Sequence, residues 1–125
     1  MKLVKEINLE NGLTVCIYNH NHRYFGDYHR VRVEFTCEVP ILKIYFSSQA
    51  AFAEAMESLG STALFKRSVE QMAVPTAELE SCLVSIIENF NCHSLSYLSS
   101  PDFPRKLIQK ELANTKRIAG GAYQG

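Results

Sequence analysis

The chain has 125 residues, with 13 basic and 13 acidic side chains and no net charge at pH 7. That length supports one modest core without disulfide or metal staples, and 46% hydrophobic content belongs to a folding chain, not a disordered one. The charge balance excludes a protein whose whole surface attracts nucleic acid or anionic membrane, so any such partner must meet a local patch.

Lys2, Lys5, Glu6 and Glu10 interrupt any apolar run long enough for a signal-peptide core, and no membrane span is readable. Cys16, Cys37, Cys82 and Cys92 are widely spaced with no CxxC pair, which argues against a zinc ribbon or a thioredoxin-like site. They read as reduced structural thiols of a cytoplasmic protein.

In chain order, residues 2–9 and 13–20 alternate around Glu10-Asn11-Gly12, and Asn-Gly between two such runs signals a hairpin. Leu3, Lys5, Ile7 and Leu9 should share one face of the first strand. Leu13, Val15 and Ile17 do so on the second, leaving Cys16, Tyr18 and His20 opposite. A loop over residues 21–27 should then reverse the chain. Residues 28–39, YHRVRVEFTCEV, form the longest period-two stretch: Val31, Val33, Phe35, Cys37 and Val39 are apolar, and Arg32, Glu34, Thr36 and Glu38 between them are not. This is a strand with one buried face, ending at Pro40.

Residues 41–46 are readable either as a short strand or as a buried connection. Ser47 or Ser48 can cap a helix over residues 49–59, with Phe52, Met56 and Leu59 on one face and Gly60 just past its end. Residues 62–74 fit a fourth strand better than a helix. Pro75 and Thr76 open a helix bearing Leu79, Leu83, Ile86, Ile87 and Phe90, expected to stop near Asn91 before the polar stretch CHSLSYLSS. Asp102 and Pro104 start a last helix with a stripe of Phe103, Leu107, Ile108 and Leu112. The expectation is α+β: an antiparallel sheet of three to four strands with about three helices packed on one face. A single domain should cover residues 1–116, with a loose tail over 117–125.

Chemistry-bearing residues crowd into YNHNHRYFGDYHRVR, residues 18–32. His20, His22, Asp27 and His29 could hold a metal ion with an open position for water, and so support hydrolysis, if the histidines converged. Arg23, Arg30 and Arg32 interleaved with Tyr24, Phe25 and Tyr28 supply the cations and stacking rings used for single-stranded nucleic acid or a phosphate-bearing ligand. No glycine-rich phosphate loop accompanies them. The third reading is an interaction surface for a homodimer or another protein, since Tyr and Arg are common interface anchors. We adopt this third reading as the working one: a non-catalytic module with no cofactor. Cys92-His93 lacks a setting for thiol catalysis, because adjacent residues rarely supply that geometry.

At LENGLTVCIYNHNHRYFGDYHRVRVEFTCEVPI, VPTAELES and YLSSPDFPRKLI, the chain resembles a family of small bacterial proteins of unknown function found in delta-proteobacteria such as Geobacter. The resemblance spans most of the chain and implies a cytoplasmic bacterial domain. It brings no activity, cofactor or catalytic motif.

Overall fold

The computed structural model describes residues 2–124, with side chains described for residues 2–115. In chain order the elements are β1 (Lys2–Asn8), β2 (Thr14–Asn19), β3 (His22–Phe25), β4 (Tyr28–Pro40), α1 (Gln49–Leu59), β5 (Thr62–Pro75), α2 (Leu79–Leu98) and α3 (Phe103–Gln124). The fold is α+β with an antiparallel sheet, as expected. The sheet has five strands, one beyond the expected range: β2 pairs with β1 and β4, while β3 and β5 also pair with β4.

The extra strand comes from residues expected to form a loop. Pairing runs from Val15↔Cys37 to Asn19↔Val33 and resumes at His22↔Arg30 and Arg23↔His29 with no change of register. Between them His20 N donates to Arg32 O at 2.8 Å. β3 therefore prolongs β2 along the same edge of β4, and only Gly26-Asp27 remains to turn the chain. Gly26 adopts φ 53°, the left-handed conformation such a tight turn requires. Ion pairs Arg30–Glu70 and Glu34–Lys66 then place β5 antiparallel on β4's other edge.

Two compact units partition the chain. The first comprises residues 1–37 and 66–100. In it Val15, Ile17, Val31, Val33, Phe35 and Cys37 are buried, as the period-two pattern requires. Helix α2 covers that face, and Phe35 and Phe90 stack with centroids 3.8 Å apart. The helix runs to Leu98, not Asn91, because Ile86, Phe90, Ser94 and Leu98, spaced four apart, are all buried. Ser94 fits in that stripe because its hydroxyl accepts from Arg67 Nη1 at 3.3 Å. At the first hairpin Leu9 N donates to Leu13 O, so Glu10-Asn11-Gly12 is the loop. Asn11 Nδ2 bonds Leu98 O at 2.7 Å and Ser100 O at 3.1 Å, and Leu13 N bonds Asn11 Oδ1 at 3.2 Å. A register shift between Leu3 and Lys5 sets Leu3 opposite Tyr18 and Lys5 opposite Ile17, so Leu3 does not share the face of Lys5 and Ile7.

The second unit comprises residues 38–65 and 101–125. Residues 41–46 form no strand: Ile41 is buried, and Lys43–Tyr45 make a single 3-10 turn. Ser48 Oγ accepts from Ala51 N at 3.1 Å to cap α1, and Gly60 ends it at φ 82°. Phe103, Leu107 and Ile108 of α3 are buried, with Phe103 edge-on to Phe65 at 5.9 Å. The tail expected over 117–125 falls outside the residues with described side chains; the backbone of α3 is helical to Gln124.

Candidate functional site

Pairing parity decides what the residue 18–32 cluster can do. On an antiparallel ladder, opposed residues share a face and neighbours alternate. His20 and His22 therefore lie on the face of Arg30, Arg32 and Glu34, whereas Arg23 and His29 lie on the other. His20 Nε2 donates to Glu34 Oε2 at 3.0 Å, since an ionised carboxylate only accepts. His29 Nε2 meets Thr76 Oγ1 at 2.9 Å. The structure does not bring His20, His22, Asp27 and His29 into one ligand set. Among the described residues no group of three or more His, Cys, Asp or Glu is placed to hold a metal ion.

The aromatic residues have a different setting. Phe25 is 73% exposed, Tyr24 45% and Tyr28 44%, all at the closed end of the β3–β4 hairpin. A second element pins that end. Thr76 N and Thr76 Oγ1 both donate to Asp27 O, at 3.1 and 3.3 Å, and Thr76 Oγ1 with its proton so used accepts from His29. The turn is thus tied to the residue that follows β5, and the rings project from fixed backbone.

Below the tip, the outward face of β4 carries a charge row. Glu34 is only 12% exposed and holds both His20 and Lys66, the latter at 3.1 Å. The Lys66 hydrogen bond is the chief cause of a Glu34 carboxyl held below the usual range; partial burial opposes it, and the Lys66 charge and His20 reinforce it. Arg30 Nε lies 3.5 Å from Glu70 Oε1, so one of the three candidate ligand-binding arginines already faces a carboxylate. Tyr18 shares this face with Cys16, whose charge is the main influence raising the phenol above its ordinary value, with loss of water adding to it. Sequence reasoning missed Lys66, Glu70 and Thr76, because their link to β4 exists only once β5 is in register.

The cysteines are unbridged, and Cys92-His93 lies within α2 with both side chains exposed. Burial pushes the Cys82 thiol up, and Glu78 adds to it, which keeps it protonated. No helix among the described residues is long and apolar enough to cross a membrane. No family model, curated protein or solved structure matches the chain.

Proposed function

We propose that this protein is a non-catalytic interaction module whose contact surface is the β3–β4 hairpin tip, with Tyr24, Phe25 and Tyr28 as anchors for a protein partner. The observation that carries the reading is the 73% exposure of Phe25 between two half-exposed tyrosines on a turn fastened to Thr76. Burying such a ring in a partner is worth about 1.5–3 kcal/mol, and a rigid tip loses little entropy on docking. Tyr and Arg are common interface anchors, and Arg23 on β3 adds a cation beside them. The unbridged thiols are in keeping with a reducing compartment, the cytoplasm.

The test compares the intact protein with Phe25→Ser in affinity capture from a cell extract, followed by titration of each captured protein in pure form. The expected result is one partner whose affinity falls at least tenfold with Phe25→Ser and is unchanged by Glu57→Ser, an exposed position on α1. Equal binding by both variants would sink the reading. An amide NMR titration with a short single-stranded oligonucleotide decides the rival: saturable, salt-sensitive shifts at residues 19–32 would assign the tip to nucleic acid instead.

A further inference from the structure

We infer that a second copy of this chain pairs with the outer edge of β5, making a two-fold dimer in which the sheet runs continuously through both copies. Strand β5 is 14 residues long, and β4 is its only strand partner among the described residues. An edge that long templates further pairing unless it is protected by lysines, proline, a bulge or brevity. At the opposite edge of the sheet, β1 has such protection: seven residues, a register shift, and Lys2 and Lys5. On β5 the charged side chains are already engaged within the chain, Lys66 with Glu34, Glu70 with Arg30 and Arg67 with Ser94, and the proline is the last residue of the strand.

The sequence of the edge fits a copy of itself. Residues of one face of β5, the face that meets Glu34 and Arg30, read Leu64, Lys66, Ser68, Glu70, Met72. A closed two-fold pair of antiparallel edge strands must have its axis through one residue, so that opposed side chains share a face. With the axis at Ser68, Leu64 meets Met72, Lys66 meets Glu70, and each contact occurs twice. Leu64 is 48% exposed and Met72 55%, so the pairing covers an apolar side chain at each end. Moving the axis to Arg67 opposes two arginines and sets Leu64 against Glu70. Moving it to Val69 sets Lys66 against Met72. On this face only the Ser68 register matches charge with charge and apolar with apolar; on the other it sets Arg67 beside Val69 and Phe65 beside Gln71.

That register also completes the charge row. Glu34 and Lys66 of one copy would be followed across the two-fold by Glu70 and Arg30 of the other, alternating in sign throughout. The regular edge stops just past Met72, where Ala73 takes φ 57°.

Sedimentation velocity over a concentration series tests the pairing, with circular dichroism confirming that each variant is folded. The intact protein should sediment at twice 14.1 kDa. Ser68→Lys and Ser68→Glu each place like charges on the axis and should weaken the dimer about five-fold or more, while an equimolar mixture of the two should recover it as a heterodimer. Phe25→Ser should leave it unchanged. A monomeric intact protein, a Ser68→Lys variant as dimeric as the parent, or a mixture that fails to recover would overturn the inference. Loss of the dimer in Phe25→Ser alone would overturn it too, and would move self-association to the hairpin tip.

Discussion

Glu34 shows how much of a residue's role depends on what folds around it. Its carboxylate lies between His20 and Lys66 with little water, so replacing it by Gln removes two charge-assisted bonds. Because Lys66 is half exposed, we expect a loss of about 1–2 kcal/mol in urea unfolding at pH 7. The sign with pH follows from a folded-state carboxyl held below its ordinary value of 4.5. The stabilisation is complete above that value and is lost as pH falls through the folded one. Glu34→Gln should therefore show a flatter fall in stability below about pH 4.5 than the parent. From sequence, the alternation of residues 28–39 placed Glu34 on the polar face of its strand. Neither partner was legible, since His20 is reached through the hairpin register and Lys66 only through β5, 32 residues further on.

Among the elements, helix α2 and the β3–β4 turn differ in how plainly the chain encodes them. The apolar spacing of α2 announced its first three turns; its continuation to Leu98 was hidden because Ser94 reads as polar and becomes core only beside Arg67. Phe90→Ala removes the ring stacked on Phe35 and should cost about 3–5 kcal/mol, measured by urea or thermal unfolding. The turn is the reverse case: a reversal of the chain before Tyr28 was expected, but the whole of residues 21–27 was read as loop because HNHRYF lacks a clean alternation of apolar and polar side chains. A Cβ on Gly26 meets nothing within 4 Å, so Gly26→Ala carries backbone strain alone. Its expected cost is about 1 kcal/mol, with Gly26→Asn milder, because Asn tolerates the left-handed conformation. Where a cap or stop rested on local side-chain chemistry, as at Ser48 and Gly60, the sequence was sufficient. Pro75 and Thr76, expected to open α2, do not: Pro75 ends β5, Thr76–Glu78 form a 3-10 turn, and α2 begins at Leu79.

For the whole molecule, the order of hairpin, long strand, helix, strand and helices was enough to reach α+β with an antiparallel sheet. The division into two units was not legible, because each unit is assembled from two separated stretches and two of the three boundaries fall inside strands β4 and β5. Zero net charge and an isoelectric point near 6.9 mean that long-range attraction does little to bring partners in at pH 7. The expected consequence is a slow, nearly salt-independent association rate with a protein partner, about 10⁵–10⁶ M⁻¹s⁻¹ in stopped-flow or surface-binding measurements. A rate that drops steeply between 50 and 200 mM salt would point to a charged partner.

The bonds made by Asn11 also govern how the protein ages. Asn-Gly is the dipeptide most prone to deamidation, in which the glycine nitrogen attacks the asparagine side-chain carbonyl carbon, ammonia leaves, and the cyclic imide opens to aspartate or isoaspartate. Here the Asn11 amide is held by Leu98 O and Ser100 O, its oxygen accepts from Leu13 N, and Gly12 N already donates to Leu9 O at 3.1 Å. The attacking atom and its target are thus kept apart while the first hairpin stays on the end of α2. Deamidation at Asn11 becomes a clock that advances when this corner opens, and the modified fraction in an old sample records the time spent open.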